Sequence, residues 1–171
     1  MKKALPRALP GPAWLYLALL FGLASGLQSS LASKLGFFGG QPDFLLTLTL
    51  TAALLADAGV GAILGFIGGL LAAAVAGQTL GTYIVTRTIA AWQAAWTTGR
   101  FLESRPWVVV LGVGVGTLAT EVLYLLGYPQ LSPARWARAT LVECLFNAAL
   151  SIPTYVLLRK VGWGAERGQT A

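Results

Sequence analysis

The chain has 171 residues, 56% of them apolar and only 11% charged, with a formal net charge of +6 and a mean hydropathy of +0.71. Charges this sparse, against about a quarter of the residues in soluble domains, cannot build a water-facing surface, and the pattern is that of an integral membrane protein. With one Cys and no His, a disulfide framework, an imidazole-based zinc site and a Ser-His triad are all excluded.

Breaks at Gly, Pro and charge clusters predict six helices in one membrane domain spanning residues 1–171: 13–32, 44–56, 59–77, 81–98, 107–127 and 135–158. The fold class is therefore an all-α, compact six-transmembrane-helix bundle with short tails. The first helix follows Lys2, Lys3 and Arg7, the flank of a cleavable signal as well as of a membrane anchor. Its length, and the equal apolarity of everything after it, favour a retained span. The second helix is about 20 Å long at 1.5 Å per residue, too short to cross a hydrocarbon core of about 30 Å upright. It either leans on neighbouring helices or, across the brief connection near Asp57, forms a re-entrant hairpin with the third.

The third helix repeats small residues every four positions, at Gly61, Gly65, Gly69, Ala73 and Gly77, which leaves one face almost without side chains. Such a face permits close helix approach in lipid. Gly22 with Gly26, and Gly112 with Gly116, are shorter versions of the same spacing. On the fourth helix, Val85, Ile89, Trp92 and Trp96 form a bulky stripe assigned to lipid, opposite Arg87, Ala91, Ala94 and Thr98. On the sixth, Thr140, Glu143, Asn147, Ser151 and Thr154 share a polar stripe that belongs inside the bundle or against a partner, and Pro153 removes a backbone hydrogen bond there. Cys144 reads as a small packing residue, and Trp92, Trp96, Trp107, Trp136 and Trp163 fall near helix ends, where aromatic rings favour the membrane interface.

Three ionisable residues fall within predicted spans. Arg87, Glu121 and Glu143 each lie six residues from the outer end of their helix, about 9 Å deep. One cation and two carboxylates at one level can form a buried cluster, with the guanidinium forking onto a carboxylate. Three readings stand: a structural or partner-contacting ion pair, an outward-opening ligand pocket, and an Arg87 that snorkels to the headgroups. No catalytic motif, metal-ligand set or cofactor motif accompanies them, so the chain reads as non-enzymatic, without metal or cofactor.

With six spans and the amino terminus inside, Lys2, Lys3, Arg7, Arg100, Arg105, Arg159, Lys160 and Arg167 collect on the cytoplasmic side, against Lys34, Arg135 and Arg138 outside. This is the expected bias of basic residues, and it predicts both termini inside. It also accounts for the positive charge through anionic lipid, without nucleic acid.

Residues 42–92 resemble the rod-shape-determining protein MreD family. The shared features are Pro42-Asp43 before a Leu-rich helix, the run from Gly61 to Leu71 (Gly-Ala-x-x-Gly-Phe-x-x-Gly-Leu-Leu), and Leu80-Gly81 opening the next helix. The closing stretch 147–160, with internal Pro153 and a final Leu157-Leu158-Arg159-Lys160, is similar as well. The resemblance implies a scaffold of the bacterial cell-wall elongation machinery in the cytoplasmic membrane. Such a scaffold binds the single-span protein MreC and works near a RodA-type glycosyltransferase and its transpeptidase. It further implies a fold like that of the S components of energy-coupling-factor transporters, so that a vitamin-binding S component is the alternative.

Overall fold

In the computed structural model, residues 11–77, 80–101, 105–127, 129 and 132–164 are described. They form α1 (Gly11–Ser30), a 3-10 turn (Ala32–Leu35), α2 (Phe44–Leu54), α3 (Ala58–Ala76), α4 (Leu80–Phe101), α5 (Pro106–Gly127) and α6 (Pro133–Lys160). Among the described residues no strand is formed, apart from an isolated bridge between Phe37 and Gly40. Four helices, α1, α3, α5 and α6, are long and apolar enough to cross a membrane. The chain is thus an all-helical, multi-pass membrane bundle. The other two predicted spans are not among these four: α2 is short, as its sequence predicts, and α4, which carries Arg87 and Gln93, is not apolar enough to be counted by composition alone. Lys2, Lys3, Arg7 and Arg167, four of the eight basic residues used for orientation, lie outside the described residues.

The bundle is built around α2. Ten of its eleven residues are buried, and it touches all five other helices. A helix of this length rises only about 16 Å, so both its ends stop inside the protein. Wrapped by longer helices, it meets no lipid, and it is a helix distinct from α3, separated by the short turn at Leu55–Asp57. Around it, α1 contributes Ala13, Leu17, Phe21 and Ala24 from one face and leaves Leu15, Leu19 and Leu23 outside. That division is the 3.6-residue period of a helix with one packed side.

The closest helix pair is α3 with α4. A Cβ added at Gly61 would meet Ala95 Cβ at 2.5 Å, one at Gly65 would meet Thr88 Cα at 2.6 Å, and one at Gly69 would meet Ile84 Cα at 2.7 Å. The third-helix stripe is therefore a backbone-to-backbone seam, closed towards its end by buried Ala73. Gly77 does not belong to it. It ends the helix with φ +62°, its N–H donating to the Ala73 carbonyl, and nothing lies within 4 Å of its missing side chain. Gly22 and Gly26 likewise face open space, whereas Gly112 and Gly116 receive the Leu54 and Leu50 side chains of α2. Val85, Ile89, Trp92 and Trp96 of α4 are exposed on the outside of the bundle.

Candidate functional site

The polar residues of the spans gather where α2 begins. A helix start leaves N–H groups without carbonyl partners, and inside a bundle no water is at hand to satisfy them. Here three side chains do so. Asp43 caps the helix, its Oδ1 accepting from Leu46 N–H at 2.8 Å. The Asn147 Oδ1 accepts from Asp43 N–H at 2.9 Å, and the Gln28 Oε1 accepts from Phe44 N–H at 2.8 Å. Asn147, fully buried, also donates from Nδ2 to Thr117 Oγ1 at 3.2 Å. At the other end of α2 the Trp163 indole N–H donates to the Ala52 carbonyl at 3.0 Å. That side chain is completely buried, so Trp163 is not an interface residue as its place in the sequence suggests, but a plug packed edge-on against Trp14.

Arg87 is 4% exposed and forks onto Asp43, Nη2 to Oδ2 and Nη1 to Oδ1. The guanidinium is thus buried and paired, which removes the snorkelling reading, and its carboxylate partner is neither Glu121 nor Glu143. Asp43 lies just ahead of the predicted second helix, and such a position reads as a surface loop. The signal that finds it is the shortness of that helix: a cap on a helix that cannot reach the surface must itself sit at depth, and a buried carboxylate there needs a cation.

Above this ion pair lies a cavity of about 610 Å³ lined by Gln28, Asp43, Tyr83, Arg87, Glu121, Tyr124 and Glu143, among others. Its walls come from the ends of α1, α3 and α5 and the first halves of α4 and α6, together with the segment between α1 and α2 that ends on Asp43. All lie at the end of the bundle away from the start of α1 and the end of α6. The structure therefore brings Arg87, Glu121 and Glu143 to one cavity, with Asn147 one turn behind Glu143. Gly61, Gly65, Gly69 and Ala73 stay outside it, in the α3–α4 seam. Glu121 and Glu143 act on each other electrostatically and feel both Arg87 and Asp43, yet among the described residues neither takes a hydrogen bond or an ion pair. Tyr83 and Tyr124, which sequence reasoning passed over, pack edge to face with centroids 5.5 Å apart, and the Arg87 guanidinium lies 5.4 Å from the Tyr83 ring centre.

A second, apolar groove of about 580 Å³ runs between α4 and α5. Its floor includes Leu54, Ala90, Ala94 and Gly112, and its rims carry Trp92, Trp96, Trp107 and Leu111. No acidic, histidine or cysteine trio converges to hold a metal ion among the described residues. Comparison with protein-family models, curated proteins and solved structures gives no match.

Proposed function

We propose that this chain is a non-enzymatic subunit of the bacterial cytoplasmic membrane that binds a single-span partner, with both its termini on the cytoplasmic side. Its resemblance to the MreD family makes that partner MreC-like and puts a RodA-type glycosyltransferase and its transpeptidase nearby. The observation that carries the reading is the α4–α5 groove. The alanines of its floor let another helix approach closely, the tryptophans and Leu111 of its rims offer van der Waals contact, and Gln93 leaves an amide on the outer surface of α4 that hydrocarbon cannot satisfy. A single apolar helix fills such a groove.

Co-expression with a tagged MreC tests this. Wild type is captured, and Ala94→Trp or Ala119→Trp, which fill the groove, reduce capture about tenfold, as a loss of about 1.4 kcal/mol would. Leu145→Trp on the outer face of α6 leaves capture unchanged. No capture of wild type, or a groove substitution without effect, overturns the reading.

The polar cavity favours a second reading, a small-ligand-binding subunit similar to an S component. That reading needs a transporter ATPase pair as partner, and capture of such a pair in place of MreC separates the two.

A further inference from the structure

Among the described residues, the cavity at the start of α2 holds more acid than base, and its base Arg87 is already engaged. Arg87 spends both terminal nitrogens on Asp43, so its charge and that of Asp43 offset each other. Glu121 and Glu143 remain, from adjacent helices, facing one space without a partner among the described residues. Two carboxylates below a membrane surface are costly without a counter-charge. The space they face lies within the size range of small-molecule sites, roughly 300–1,000 Å³. A metal ion is the wrong counter-charge, because among the described residues no three acidic, imidazole or thiol groups converge on one point. An organic cation, larger and held at longer range, suits two carboxylates beside the paired faces and edges of Tyr83 and Tyr124.

A second, independent observation refines the class. Arg87 Nε has no acceptor among the described residues, although the side chain is 4% exposed and lines the same cavity. A buried N–H of this kind is seldom left unpaired, so the cavity calls for an oxygen as well as a positive charge. We propose that the cavity binds an amino alcohol, its ammonium held between Glu121 and Glu143 and flanked by Tyr83 and Tyr124, its oxygen turned towards Arg87. The same chemistry is available from a free amine such as choline or ethanolamine and from the headgroup of phosphatidylethanolamine. The inference needs the cavity alone and is independent of what occupies the α4–α5 groove.

The test uses the full chain in nanodiscs of phosphatidylglycerol, which carries no amine. Choline and ethanolamine are titrated by calorimetry beside 3,3-dimethylbutan-1-ol, the uncharged isostere of choline. In parallel, native mass spectrometry follows retention of phosphatidylethanolamine against phosphatidylglycerol from mixed bilayers. One-to-one binding of a free amine but not of the isostere identifies a soluble ligand. Selective retention of phosphatidylethanolamine without free-amine binding identifies the headgroup. In either case Glu121→Gln and Glu143→Gln each weaken the interaction about tenfold or more, with a thermal midpoint without ligand no lower than that of wild type. The proposal falls if neither amine binds up to about 10 mM, a Kd weaker than about −3 kcal/mol of binding free energy, and phosphatidylethanolamine is not preferred. It falls equally if the isostere binds as well as choline, a comparison on wild type that holds even where a variant fails to fold, or if both Gln variants bind as wild type.

Discussion

Asp43 is the residue on which the interior turns. It caps α2, accepts the fork of Arg87, and has its own N–H held by Asn147. Removing Arg87 leaves that carboxylate buried without a cation, and Arg87→Ala is expected to lose about 3–5 kcal/mol, read as a lower thermal midpoint in detergent. Neutralising the partner in the same chain, Arg87→Ala with Asp43→Asn, recovers part of the loss, since Asn keeps the cap and drops the charge. Glu121→Gln in the Arg87→Ala background recovers less than Asp43→Asn does, which distinguishes the observed pair from the Arg87–glutamate pair that depth counting suggests. Counting residues from helix ends was enough to group Arg87, Glu121 and Glu143, which line one cavity, because rise per residue is constant. It could not reveal Asp43, since a residue outside a periodic segment has no depth until its helix is known to be enclosed.

At the scale of the elements, the seam between α3 and α4 and the enclosure of α2 explain each other. Glycine on α3 lets α4 approach until their backbones touch, and the same compactness brings both helices against α2. Gly65→Leu forces the α4 backbone near Arg87 and Thr88 to move and is expected to abolish the folded, monodisperse protein in detergent, while Gly22→Leu, facing open space, leaves its yield unchanged. Gly77→Ala meets no neighbour but forces a left-handed conformation on a residue with a side chain. A cost of about 1 kcal/mol in the thermal midpoint is expected there. The fourfold spacing of small residues was legible in the sequence, and so was the face it defines. Where the stripe ended was not, because Gly77 continues the spacing while its backbone leaves the helix.

For the molecule as a whole, Trp14 and Trp163 in contact bring the start of α1 and the turn after α6 to one end of the bundle. With both termini proposed as cytoplasmic, a single Cys introduced at Ser33 in a Cys144→Ala background reacts with a membrane-impermeant maleimide in intact spheroplasts, and one at Lys160 does not. The reverse pattern rejects that orientation. Six helices were legible from punctuation and apolar runs. The shortness of α2 was legible too, but its enclosure by the other five helices was not, since burial is a property of its neighbours.

The capping of α2 has a consequence for how the protein is made. Its partners lie 16, 104 and 111 residues away in the chain, in Gln28, Asn147 and Trp163. During synthesis the ribosome delivers α2 long before the last two exist, so a short helix with unsatisfied ends must wait in or beside the translocon until the carboxy-terminal hairpin arrives. Assembly therefore closes from the end of translation inward. A chain stopped after Lys160 lacks the Trp163 plug, and limited proteolysis of its membranes should cut near Leu55, where the full-length protein resists.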